Sequence, residues 1–162
     1  MPPDSRNPVA PPLSLLLVLE GPPPADTCAR LAALQEVLPV AERYVFGHGD
    51  PQRLAPAFRR LAATAPGLRV ELATRALSQA AALAQAVAAA AAPWVLWLPE
   101  WPRPGEVATV SSLWRGHAGA AMAGDPANGP CLFRRDTPLR LRRACAVLAG
   151  RMGLGRAAWR PV

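Results

Sequence analysis

The stretch "LSLLLVL" at residues 13–19 is a nearly continuous apolar run. A run of this kind fits a strand buried on both faces, as in the middle of a parallel sheet. "GPPP" (21–24) then breaks the chain. From about Asp26, "DTCARLAALQEVL" places Cys28, Leu31, Leu34 and Leu38 at helical spacing, and Pro39 stops it. "ERYVFG" (42–47) reads as a second strand. Asp50 is a good N-cap and Pro51 suits the first position of the next helix. That helix carries Leu54, Phe58 and Leu61 on one face and ends at Pro66-Gly67. Pro56 inside it is expected to distort its start. "LRVELA" (68–73) is a third strand, 76–92 an alanine-rich helix, and "PWVLWL" (93–98) a fourth strand. Strand and helix alternate throughout, which predicts a parallel α/β sheet with right-handed crossovers.

The remainder is less regular. "PGEVATVSSLW" (104–114) predicts a short helix, and "HAGAAMAG" (117–124) and "PCLFRR" (130–135) two short strands. "TPLRLRRACAVLAG" (137–150) predicts a helix with Thr137 as cap and Gly150 as stop. Its apolar stripe is Leu141, Cys145 and Leu148, with Arg140 and Arg143 on another face. The expected organisation is a flexible proline-rich tail, 1–12, and one domain, 13–162, whose segment 130–162 is basic.

Charge sharpens that last point. Net charge is +7, and all 18 basic residues are arginine. Residues 1–114 hold nine Arg against nine Asp or Glu; residues 115–162 hold nine Arg against Asp125 and Asp136. The excess lies entirely in the last third. Such a surface attracts nucleotide phosphates, an acidic protein or an anionic membrane. Nucleic acid is disfavoured, because only Phe133 and Trp159 are interleaved with these arginines. The three cysteines, Cys28, Cys131 and Cys145, show no metal-ligand spacing and read as reduced thiols packed as small hydrophobes. No signal-peptide pattern opens the chain, and "LSLLLVL" is too short to span a bilayer. The expected location is cytoplasmic, with membrane association left open.

Over roughly residues 13–143 the chain resembles the family-2 glycosyltransferases of GT-A fold. "LSLLLVLEG" stands where the family opens, "GHGDPQ" (47–52) where its second strand ends, "WVLWLP" (94–99) at its fourth strand and "LFRR" (132–135) further on. The resemblance implies a truncated nucleotide-diphospho-sugar transferase-like α/β fold. It also implies acidic groups for a uridine after the second strand, where this chain has Gly47 and His48. After the fourth strand the family places an Asp-x-Asp pair that holds a divalent cation on the diphosphate. This chain has Pro99-Glu100-Trp101 there, and one carboxylate is a poor substitute for two. The family's later Glu-Asp pair has only a faint echo in Arg135-Asp136, and its Gln-x-x-Arg-Trp motif is missing.

By the rule that ligands bind beyond the C-terminal ends of parallel strands, Glu20, Gly47, His48 and Asp50 are the candidate nucleotide-binding residues. Glycines let backbone approach a ligand, though a capped strand-to-helix turn explains Asp50 as well. His48, as a loop histidine, is weak evidence by itself. Glu100 and Asp136 are the catalytic candidates if the chain is active. Trp101, past the strand end and between prolines, is expected to be exposed, and with Arg140 and Arg143 is a candidate contact residue. Trp94 and Trp97 are expected on opposite faces of their strand, under helices.

The composite expectation is a glycosyltransferase-like domain without transferase activity, serving as a binding or scaffold subunit and needing no divalent metal. The alternative is an active, metal-independent transferase in which arginines neutralise the diphosphate of a nucleotide sugar.

Overall fold

A computed structural model of the chain describes residues 11–117, 122–124 and 129–135. Its elements are β1 (Leu13–Leu19), α1 (Thr27–Gln35), β2 (Val40–Gly47), α2 (Pro51–Thr64), β3 (Leu68–Leu72), α3 (Gln79–Ala89), β4 (Trp94–Leu98), α4 (Glu106–Gly116), β5 (Met122–Gly124) and β6 (Cys131–Arg134). The six strands form one sheet in the order β3-β2-β1-β4-β6-β5. Strands β1 to β4 are mutually parallel where they pair, and β6 runs antiparallel to both β4 and β5. The expected α/β architecture is therefore present: a mixed, mostly parallel sheet flanked by four helices.

All seven residues of β1 are buried. Its alternate side chains feed two cores. Leu13, Leu15, Leu17 and Leu19 join Leu31 and Leu34 of α1, Leu54, Phe58 and Leu61 of α2, and Val110 of α4. Leu16 and Val18 join Tyr44, Phe46 and Trp97 beneath α3. On α3, Ala82 and Ala86, one turn apart, are fully buried, as is Ala90 just past its end, so the helix lies close against the sheet. Trp97 faces α3. Trp94 faces the other way, half-buried, edge-on to Trp114 of α4 at 6.2 Å. Cys131 is buried and Cys28 half-buried.

Several boundaries differ from the sequence reading, each for a local reason. Strand β2 begins at Val40 rather than Glu42, because Leu13 pairs with Val40 across a register shift and donates to the Pro39 carbonyl at 3.2 Å. Helix α3 is shorter than 76–92. The Ser78 hydroxyl accepts from Ala81 N–H, and Ala90 leaves helical geometry at φ −59°, ψ 140°. Pro56 does not break α2, which runs unbroken over 14 residues. Pro56 is on the exposed face of the helix, away from the sheet. Of the strand expected at 117–124, β5 supplies Met122–Gly124, and residues 118–121 lie outside the described residues. The proposed tail up to residue 10, the helix at 137–150, Cys145 and Trp159 lie outside them. No helix among the described residues is long and apolar enough to cross a membrane.

Polar groups also work under α3. Arg69 on β3 donates to Glu42 at 3.0 Å, to Glu71 at 2.5 Å and to the Ala89 carbonyl at 2.7 Å, and lies 4.2 Å over the Tyr44 ring. Arg135 takes the Ala90 carbonyl. Two orphan carbonyls at the end of α3 are thus satisfied from the sheet. Glu42 accepts further from the Ser14 hydroxyl at 2.5 Å and the Ala91 N–H at 2.8 Å. Burial pushes the Glu42 carboxyl up, but Ser14, Ala91 and Arg69 outweigh it and hold the group below its ordinary value. Burial and the Glu71 carboxylate hold the Tyr44 phenol well above its ordinary range.

A depressed carboxylate stabilises the fold above its ordinary pKa, here 4.5, and that contribution disappears as the pH falls through the lower folded value. Glu42→Gln is expected to melt roughly 2–4 °C below the parent at neutral pH, the effect of about one lost hydrogen bond. The gap should narrow on acidification. A gap that stays constant in melts from neutral to strongly acidic buffer would remove Glu42 as the responsible group.

Candidate functional site

Parallel strands β1 to β4 deliver four loops to one edge of the sheet. Backbone bonds continue past the strand ends: His48 N–H donates to the Leu19 carbonyl at 2.9 Å and Ala73 N–H to the Gly47 carbonyl at 2.8 Å. Glu20, His48 and Glu100 therefore share this edge, as the topology rule requires. Among the described residues, however, no hydrogen bond or ion pair joins their side chains.

Each candidate in the β2–α2 turn has a structural task. Gly47 lies against Phe58 of α2, and a methyl group there would sit inside the phenyl ring. Gly49 has φ +125°, and a Cβ would come 2.9 Å from the Glu20 carbonyl oxygen. Asp50 caps α2, accepting from Gln52 N–H at 3.0 Å. His48 is not an exposed loop residue: it is 1% exposed. Its Nδ1 faces the Leu77 carbonyl at 3.2 Å and its Nε2 the Gln79 amide at 2.6 Å. The carbonyl can only accept, so Nδ1 is the donor there, and the Gln79 side chain pairs with Nε2. His48 thus ties the β2–α2 turn to the start of α3, with both ring nitrogens engaged. Glu20 is exposed on the adjoining loop.

The β4–α4 loop is built differently. Glu100 is half-buried and Trp101 is 64% exposed. Behind them lies a buried ion pair that the sequence reading missed. Arg30 of α1 donates through Nε to Glu106 Oε2 at 2.8 Å and through Nη2 to Oε1. Its Nη1 donates to the Glu100 backbone carbonyl at 3.0 Å. Arg30 is 9% and Glu106 7% exposed. The available signal was positional. Arg30 falls on the buried stripe of α1 with Thr27, Leu31 and Leu34, and Glu106 one turn before buried Val110. Charges on an apolar stripe need partners. The partner itself, 76 residues away, could not be read from spacing.

The carboxylates near this edge are largely committed. The Glu106 pair of oxygens is taken by Arg30, Asp50 by its helix, and Glu100 is the one carboxylate between Pro99 and Trp101. Among the described residues, no three His, Cys, Asp or Glu side chains are grouped to hold a metal ion. A groove of about 750 Å³ opens between α4 and β5, lined by Ala108, Ser112, Leu113, Ala123 and Pro130, away from the candidate residues. Asp136, Arg140 and Arg143 lie outside the described residues.

No protein-family model matches the chain, and no curated protein matches it. Solved structures do. One is a mannosyltransferase of Pyrobaculum calidifontis in complex with GDP-Man and Mn2+, with TM-score 0.53 and 18% identity. The match covers 81% of this chain and 46% of that one, so the chain spans about half of that enzyme's length. Another is a CMP:2-keto-3-deoxy-manno-octonic acid synthetase complexed with CTP, with TM-score 0.52 and 12% identity, covering 88% of this chain and 85% of that one. The fold is therefore nucleotide-diphospho-sugar transferase-like.

If Gly47 is needed for packing, Gly47→Ala should overpack the turn and cost about 1–3 kcal/mol without any ligand present. Phe58→Leu in the same chain should recover more than half of the loss. Thermal melts of the single and double variants check this. An unchanged melt for Gly47→Ala would release the glycine for a ligand role.

Proposed function

We propose that this chain is a glycosyltransferase-like domain, a degenerate relative of the family-2 enzymes, that works by binding rather than by sugar transfer. Its ligand edge would take a nucleotide or nucleotide sugar, as the solved neighbours' bound GDP-Man and CTP suggest. Its contact residues would be Trp101 on its loop and, as a separate sequence feature, the arginine excess of the last third, which suits an acidic protein or an anionic membrane surface.

One observation carries this reading. Where paired carboxylates would be needed to hold a divalent cation against a diphosphate, the chain offers Pro99, Glu100 and Trp101, with the indole exposed. This donor set does not fit such a cation. Exposed tryptophans are instead enriched where proteins make contacts, because the ring gives large area at low entropic cost.

A thermal-shift series with UDP, GDP, CTP, a uridine sugar nucleotide and GDP-mannose, each with and without Mn²⁺, tests the proposal. Any shift is expected to be the same with and without metal, and no donor is expected to be turned over. An additional rise of several degrees for UDP or GDP with Mn²⁺ would overturn it, because only ligand bound to the native state stabilises it. Turnover of a donor lost on Glu100→Gln would favour the metal-independent transferase instead.

A further inference from the structure

Of the three ion pairs among the described residues, Arg30–Glu106 alone has both side chains nearly sealed from solvent, 6% and 7% exposed; Arg69 in the other two is 35% exposed. A pair buried this way adds little net stability, since removing both charges from water offsets most of their attraction. Two apolar side chains would pack α1 against α4 as well. What they could not do is hold the loop between β4 and α4.

The geometry of the fork makes that link. The carboxylate of Glu106 takes Nε and Nη2, so the guanidinium plane is fixed by two parallel bonds. The remaining Nη1 then points at the Glu100 carbonyl. That carbonyl belongs to the peptide joining Glu100 to Trp101, so its direction also sets the Trp101 N–H and the start of the indole side chain. The loop has few other freedoms. Pro99, Pro102 and Pro104 restrict φ, and Gly105, at φ +71°, turns the chain into α4. Glu106, the first residue of α4, closes the loop onto the same guanidinium.

We propose that Arg30 and Glu106 are positioning residues that hold the Glu100–Trp101 peptide in one orientation and keep Trp101 presented as a preformed contact. The inference rests on the reading of the Trp101 loop as a contact surface. A contact ordered before it meets its ligand loses less conformational entropy on binding.

Backbone ¹⁵N relaxation on the full chain tests this without any ligand, so its outcome is separate from that of the thermal-shift series. In the unmodified chain the Trp101 amide is expected to have an order parameter of roughly 0.85, as in rigid backbone. Two variants probe the clamp. Arg30→Lys keeps the charge opposite Glu106, but a compact ammonium cannot reproduce the planar fork. The pair Arg30→Met with Glu106→Leu replaces both charges by apolar groups. In either variant the Trp101 value should fall below about 0.6 while the Trp97 amide, inside β4, stays rigid. A merely structural pair would leave the Trp101 amide unchanged in both variants, whichever way the melting temperature moves. The proposal is overturned if Trp101 is already mobile in the unmodified chain. It is equally overturned if Trp101 stays rigid in a folded variant. Should the double variant fail to fold, Arg30→Lys alone decides.

Discussion

Strand β1 has no face turned to water. With all seven residues buried, the sheet has to be covered on both sides, and the helices are arranged to do it. Helices α1, α2 and α4 close one face and α3 the other. The parallel pairing of β1 with β2 and β4 follows from the same need, because each crossover helix returns over a sheet face. Once β1 is central, the C-terminal ends of four parallel strands meet along one edge, which is where the α/β rule places the candidate residues.

Close packing then dictates small residues and satisfied polar groups. The alanines of α3 bring a helix near the sheet, and Gly47 admits the Phe58 ring. Where α3 ends, its carbonyls meet Arg69 and Arg135 rather than water. The polar set formed by Ser14, Glu42, Arg69, Glu71 and Tyr44 is more than a surface salt bridge. Its members compensate one another and the helix end together, which makes a half-buried site tolerable.

The same logic separates the two halves of the ligand edge. The β2–α2 turn is occupied with its own architecture. His48 joins loops, Asp50 caps α2, and both glycines answer to neighbouring atoms. The β4–α4 loop is instead braced from behind by Arg30 and Glu106, and its outer residue, Trp101, is left to solvent. A fold shared with nucleotide-sugar enzymes thus presents an exposed aromatic beside Glu100 just past the end of β4.

The sequence by itself determined the alternation of strands and helices, because burial on two faces and a 3.6-residue stripe leave distinct local patterns. It also placed Asp50 as a cap, Trp101 outside the core, and Trp94 and Trp97 on opposite faces, all consequences of short-range geometry. Only the tertiary structure decided that β4 lies against β1, that His48 is buried, and that Arg30 meets Glu106. These depend on contacts between residues tens of positions apart, whose closure is settled by the whole packed sheet and leaves no periodic trace along the chain.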